Sequence, residues 1–276
     1  MEVTIQMNNG VVLGTVTADD FSMDYMKFGH GDKTMVIIPG LSVDSVMKYF
    51  EAVAGAYAQM TDDFTIYLFD RRKDLPAAYS IQDMADDTAA AISELGLSDI
   101  YLFGASQGGM ISLVIALDHP DLVSKLILGS TAAAVDQEHY DDVISGWVEL
   151  AAEGDAESLY LAFGEALYPP EVYEQSRDLL IQSAAGVTQE DLDRFVILAG
   201  SIDGFDVSAR IGEISCPVLV LGSEDDQVLG GEASEAIYEA LSSHPDCELY
   251  MYNGYGHAVY DLAPDYRDRM TEFFLR

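Results

Sequence analysis

Ile100-Tyr101-Leu102-Phe103-Gly104-Ala105-Ser106-Gln107-Gly108-Gly109 runs from an apolar stretch, through a serine flanked by glycines, into a second apolar stretch that reaches Leu117 and is closed by Pro120. The first stretch is short and continuous, which suits a strand buried on both faces. The second is long enough for a helix. Gly104-Ala105-Ser106-Gln107-Gly108 therefore sits where a strand turns into a helix. As a bare pentapeptide, G-x-S-x-G is a weak pattern, and an ordinary glycine-rich turn is the competing reading. Its context sharpens it. A serine on a strained strand-to-helix turn needs small neighbours, which Gly104, Gly108 and Gly109 provide. The helix N-terminus beside it favours developing negative charge.

The same rhythm extends in both directions. Val3, Ile5 and Met7, an Asn9-Gly10 turn and Val12 to Val16 read as a hairpin, followed by an extended run from about Ser22 to Phe28. MVIIPG from Met35 and TIYLFD ending at Asp70 read as buried strands, with a helical stretch from about Val43 to Met60 between them. Ser80 to Leu95 carries a helical stripe that includes Ile81, Met84, Ala85, Thr88 and Ile92, and Gly96 stops it. KLILGS from Lys125 is the next strand. Strands alternating with helices build a mostly parallel sheet.

From about Thr131 to Glu213 the strands cease. Helical segments are expected at Tyr140 to Ala152, Ala156 to Leu167, Pro170 to Ser183 and Thr188 to Ser201. Pro170 falls in a first turn, where proline is tolerated, and Thr188-x-x-Asp191 is close to a capping box. CPVLVLG, a helix over Glu232 to Leu241, the strand CELYMY and a helix over Asp265 to Leu275 then restore the rhythm. The expected organisation is a core of residues 1–131 and 214–276 interrupted by a helical insertion, 132–213.

The chain has 276 residues, 49% of them hydrophobic, enough for one large core and against disorder. It carries 13 Lys plus Arg against 48 Asp plus Glu, a net charge of −35. Such a surface repels a phosphate backbone, which argues against nucleic acid as a partner. The acids are spread along the chain, as on a well-solvated surface; adaptation to high salt is the sharper alternative. Cys216 and Cys247 form no CxxC pair and no disulfide framework. The first residues lack a secretory pattern and no apolar run approaches a membrane span, so no membrane is expected and cytoplasmic is the default location. The sequence is silent on oligomeric state, and a homo-oligomer is compatible with it.

A nucleophilic serine needs a base, and the base an orienting acid. Of five histidines, His30 lies in a glycine-rich turn, His119 at a helix end where it is expected to cap carbonyls, His139 in the insertion and His244 in a loop. His257 alone follows a late sheet strand, in Asn253-Gly254-Tyr255-Gly256-His257. For the acid, PVLVLG ends in Ser223-Glu224-Asp225-Asp226-Gln227-Val228, three adjacent carboxylates.

MVIIPGL, GASQGG, CPVLVLGSEDDQVLGGEAS and NGYGHAVYD, in that order, resemble four segments of the α/β-hydrolase superfamily, and the resemblance covers nearly the whole chain. YSIQDMADD and DHPDLVSKLILGS are similar to common segments of that family, and the helical insertion resembles its cap. The resemblance implies an α/β-hydrolase fold: a mostly parallel central sheet flanked by helices, with an inserted helical cap. It implies a triad of Ser106, Asp226 and His257, the nucleophile elbow of Gly104 and Gly108, and an oxyanion hole from the backbone N–H groups of Leu41 and Gln107. The family's acid often lies three residues after the strand-end glycine, which is Asp225. The Asp-x-Val match instead places it at Asp226. No metal and no cofactor are implied.

The implied activity is hydrolysis of a carboxylic ester or lactone of a small molecule through an acyl-enzyme. Carbon–carbon bond hydrolysis, acyl transfer, perhydrolysis and amide cleavage use the same groups, and a non-catalytic binder could keep the fold. A serine nucleophile argues against haloalkane dehalogenation. Arg71 and Arg72 follow a strand end near the rim of the site. Arg71 is a candidate for binding a substrate carboxylate, with surface ion pairing as the alternative. Trp147, Tyr160, Phe163 and Tyr168 either line an acyl pocket or pack the insertion on the core.

Overall fold

Neighbouring residues of the central strands belong to opposite layers. Val36, Leu102, Leu126 and Val220 join one apolar cluster, while Ile37, Phe103, Ile127 and Leu221 join the other. With side chains alternating across a strand, this places apolar layers on both faces of the sheet, as the continuous apolar runs require. The structure, a computed structural model, describes residues 4–8, 10–18 and 20–276. Val3 and Asn9 of the expected hairpin lie outside the described residues.

Nine strands form one sheet: β1 (Thr4–Asn8), β2 (Val11–Ala18), β3 (Phe21–Gly29), β4 (Lys33–Ile38), β5 (Phe64–Arg72), β6 (Ile100–Ala105), β7 (Val123–Gly129), β8 (Val218–Ser223) and β9 (Cys247–Tyr252). Their spatial order is β1-β2-β3-β5-β4-β6-β7-β8-β9. The first three are antiparallel to their neighbours, and from β5 to β9 every pairing is parallel. Parallel strands end at the same rim, so the turns after β4, β6, β8 and β9 converge.

Helices α1 (Phe50–Ala56), α2 (Ile81–Glu94) and α3 (Gln107–Asp118) follow β4, β5 and β6 in sequence. The helical stretch expected from Val43 to Met60 is broken: α1 is flanked by 3-10 turns at Val46–Tyr49 and Ala58–Met60. Before it, the Ser42 hydroxyl donates to Asp44 O, and Ser45 Oγ accepts from Met47 N while donating to Asp70. Such local side-chain bonds compete with helix formation. Helix α2 opens with a capping box that pairs Ser80 and Asp83. His119 does not cap carbonyls through its ring; its Nε2 lies 3.2 Å from Asp86 Oδ1 on α2, so a carboxylate across the helix pair has captured it.

The insertion contributes α4 (Gln137–His139), α5 (Ser145–Glu153), α6 (Ala156–Leu167), α7 (Pro170–Ala184) and α8 (Gln189–Gly200), with a π-helical turn over Tyr140–Ile144. Thr188 and Asp191 form a full capping box on α8. The two ends of the insertion are pinned together: Val207 N donates to Ala133 O at 2.7 Å and Val135 N to Phe205 O at 2.9 Å. After β8 come α9 (Glu232–Ala240), α10 (Val259–Leu262) and α11 (Tyr266–Leu275). Among the described residues, no helix is long and apolar enough to cross a membrane.

Candidate active site

Ser106 stands between β6 and α3 with φ 53° and ψ −126°, a backbone that side-chain-bearing residues rarely adopt. The turn fits its tight surroundings because its glycines carry no side chain. A Cβ on Gly108 would run into the carbonyl oxygens of Ile38 and Pro39, and one on Gly104 into Ser112 Oγ and the Gly108 carbonyl. The steric role expected for both glycines thus has named opponents. The Thr131 hydroxyl, just past β7, donates to Ser106 O at 2.7 Å and braces the turn from the other side.

Ser106 Oγ lies 2.8 Å from His257 Nε2, and His257 Nδ1 lies 2.8 Å from Asp226 Oδ2. The histidine and aspartate side chains are only 2% and 3% exposed. A carboxylate can only accept, so Nδ1–H must donate to Asp226. That leaves Nε2 as the acceptor facing the serine hydroxyl in the neutral ring. Asp226 is itself fixed, its Oδ1 accepting from Val228 N at 2.8 Å and Leu229 N at 3.1 Å.

The competing carboxylates go elsewhere. Asp225 accepts from Ser223 Oγ, Gly254 N and Gly256 N, each at 2.9 Å, and so clamps the loop that carries His257. Burial pushes its carboxyl up, but these donors, Gly256 N foremost, hold it below the usual carboxylate range. Glu224 accepts from the Asn253 amide. Of the three adjacent acids, Asp226 is the one the structure brings to the histidine.

The turn after β4 passes close to Ser106: a Cβ on Gly40 would stand 3.2 Å from Ser106 Cβ. Leu41 lines the same cavity as Ser106 and His257. Gln107 is the first residue of α3, so its N–H has no intrahelical acceptor. Its side chain is turned away from the serine and donates to Leu198 O at 2.6 Å. The elbow is thereby tied to the end of α8.

Arg71 is not on the rim. It is 4% exposed, and its Nη2 donates to Pro39 O at 2.8 Å and to Gln107 Oε1 at 3.2 Å. The expectation that it binds a substrate carboxylate is corrected by this placement, since the guanidinium is engaged beneath the site. The ion-pair alternative fails for Arg71 but holds for Arg72, whose Nη1 lies 3.3 Å from Asp87 Oδ2. Asp70 accepts from the Arg71 backbone N–H and pairs at 3.1 Å with Arg194 of α8, which covers the strand end. Burial lowers the Arg71 pKa to about 10.

Helices of the insertion close the cavity over Ser106. Trp147 and Phe163, in edge contact at 4.7 Å, belong to its wall. Tyr160 is drawn instead toward Tyr49 and Asp44, and Tyr168 lines a separate recess with Pro169 and Tyr173. Sequence reasoning missed several further lining residues, Met110, Ile144, Leu229 and Tyr260 among them. Two of these had a signal: Met110 lies one turn beyond Ser106 on α3, and Tyr260 three residues after His257, where its ring stands edge-on at 6.2 Å.

The family model described as alpha/beta hydrolase fold matches residues 33–264. A protein of Agrobacterium fabrum described as a putative carbamate hydrolase RutD is 28% identical over 225 residues, 78% of this chain and 85% of that protein. The crystal structure of MGS-M2, an alpha/beta hydrolase enzyme from a Medee basin deep-sea metagenome library, is similar with a TM-score of 0.83 at 21% identity, covering 95% of this chain and 97% of that one. The enol-lactonase from Burkholderia xenovorans LB400 is similar with a TM-score of 0.81 at 15% identity, covering 95% of this chain and all of that one (100%). The family match spans β4 to β9, the turns that carry Ser106, Asp226 and His257, and the insertion between them; the chain belongs to the alpha/beta hydrolase fold family.

Proposed function

We propose that the protein is a serine hydrolase that cleaves a carboxylic ester or lactone of a small molecule through an acyl-enzyme, with no cofactor. The observation that carries this reading is the buried chain Ser106–His257–Asp226, with both links at 2.8 Å. Ser106 Oγ attacks the carbonyl carbon as its proton passes to His257 Nε2. Asp226 holds the ring and stabilises the imidazolium. The new oxyanion accepts from the N–H groups of Leu41 and Gln107. His257 then gives its proton to the departing alkoxide as the carbon–oxygen bond breaks. A water that loses its proton to His257 attacks the acyl-enzyme and releases the acid and a free Ser106.

Arg71 is a positioning residue in this scheme. One guanidinium holds Pro39 O and Gln107 Oε1, next to both oxyanion donors. The helical insertion acts as the cap, and the compartment is the cytoplasm. Ten of the twelve residues lining the site are apolar or aromatic, which suits an uncharged ester or lactone. Carbamate hydrolysis is the second reading, favoured by the name of the Agrobacterium relative.

Fluorophosphonate labelling followed by mass spectrometry tests the nucleophile, and a panel of esters, lactones and carbamates tests the bond. The expected outcome is a label on Ser106 that is lost in His257→Ala, with turnover of esters or lactones. A folded protein that takes no label and turns over nothing in the panel would sink the reading; turnover of carbamates alone would select the second.

A further inference from the structure

The space bounded by Ser106 and His257 is about 10 Å³, close to that of one water molecule. Directly behind the turn after β4 lies a second cavity of about 220 Å³. An apolar cavity of about 150 Å³ already accepts benzene. The wall between the two spaces is thin. Leu41, Leu167 and Tyr260 belong to both linings. Gly40 and Ala105, which flank Ser106 in space and in sequence, line the larger one.

The larger cavity is largely apolar. Ile37, Leu68 and Phe103 form its floor from β4, β5 and β6, and Val46 and Val53 close it from the first helical segment. Each floor residue belongs to the second apolar cluster, so the recess reaches from the surface into a packed layer, with Ser42, Tyr57 and Asp261 also in its lining. A largely apolar recess of this size, one residue from a candidate nucleophile, has the shape and lining of a small-molecule site.

We infer that this cavity is a binding subsite for an uncharged, apolar group of about six to eight carbons or one aromatic ring, attached to one side of the scissile carbonyl. The inference rests on the serine-hydrolase reading above. The reacting atoms occupy the narrow space at Ser106, and the bulk of the substrate lies behind Leu41. Each methylene that enters is expected to raise kcat/KM about three- to fourfold until the cavity is full.

The test uses the purified full chain with two series, p-nitrophenyl esters from acetate to decanoate and acetate esters of alcohols from ethanol to octanol. Wild type is compared with Val53→Phe, which fills the cavity, and with Val53→Ala, which enlarges it; thermal unfolding midpoints verify that both fold. The expected result is a preference for the long member in one series that falls at least about tenfold in Val53→Phe and moves to longer chains in Val53→Ala. Turnover by wild type with a chain-length profile unchanged by either variant overturns the subsite and leaves the hydrolase reading standing. If wild type turns over neither series, calorimetric titration with phenyl hexanoate decides separately. Binding weakened about tenfold by Val53→Phe supports the cavity as a subsite, and no binding overturns it.

Discussion

Ser106, Asp226 and His257 reach the site from three turns at one rim of the sheet, whereas Trp147, Phe163 and Leu167 reach it from helices of the insertion. The two halves of the wall are secured differently. On the sheet side each side chain is locked by backbone: Ser106 by a positive φ and crowded glycines, Asp226 by two N–H donors, His257 by a loop that Asp225 clamps. On the insertion side the residues are held by apolar contact, as Trp147 is against Phe163 and Phe163 against Phe195. Backbone-locked groups have one acceptable geometry, while packed groups tolerate exchange at similar volume. Changes on the sheet side should therefore act on kcat, and changes on the insertion side on stability and substrate choice.

The largest expected effect separates two adjacent carboxylates. Asp226→Asn should lower kcat about 10⁴-fold, because the ring loses the acceptor that fixes its tautomer. Asp225→Asn keeps the triad and should cost about tenfold or less, through a looser histidine loop. Steady-state kinetics on any ester that the wild type cleaves decides between them, and the reverse order would mean that Asp225 orients His257 in solution.

Next in size is Arg71. With Arg71→Met, Pro39 O and the Gln107 side chain lose their shared donor, and an oxyanion hole out of place costs up to about 100-fold in kcat with little change in KM. Arg71→Lys restores the charge but not the fork, so partial recovery is expected. A loss confined to thermal stability, with kcat intact, would reduce Arg71 to a structural residue.

These contrasts mark what a reader of the sequence could see. The turns were legible because each needs unusual residues: Gly104 and Gly108 around Ser106, Gly254 and Gly256 before His257. Local chemistry also announced the capping box at Thr188, while the one at Ser80 emerges only in the structure. The choice of Asp226 over Asp225 rests on a resemblance, the Asp-x-Val match, rather than on local chemistry. In the fold it depends on how β8 and β9 align, with Ser223 opposite Tyr252, and on which carboxylate then faces His257. Arg71 was misplaced for the same reason. Its burial follows from Arg194 of α8, which donates to Arg72 O at 2.8 Å and covers a strand end more than a hundred residues away in sequence. Of the four insertion aromatics singled out from the sequence, Trp147 and Phe163 line the site while Tyr160 and Tyr168 do not, since periodicity marks an apolar face without saying which neighbour it meets.

On the insertion side, Trp147→Ala opens space in a wall where the indole is buried. Stability should fall by about 3 to 5 kcal/mol. The kcat on a short ester should change less than tenfold, while the ranking of bulky substrates shifts. Denaturant unfolding alongside a substrate panel reads both. A collapse of kcat with unchanged stability would show that the indole acts on the reacting atoms rather than on the shape around them.

The smallest expected effect lies in the acid limb of stability. Asp225 has a folded pKa below its unfolded value, so its contribution is complete above the unfolded carboxylate pKa of about 3.9 and fades as pH falls through the folded one. Asp225→Asn cannot accept from Gly254 and Gly256 together, and should be less stable than wild type at pH 7 by about 1 kcal/mol, since the group is partly exposed. The gap should narrow as pH drops below about 4. Urea unfolding of both proteins between pH 7 and 3 measures it. A gap that stays constant would mean that the loop is held by its shape rather than by the charge of Asp225. The two neighbouring aspartates would then differ only in direction, one toward the histidine and one toward its loop.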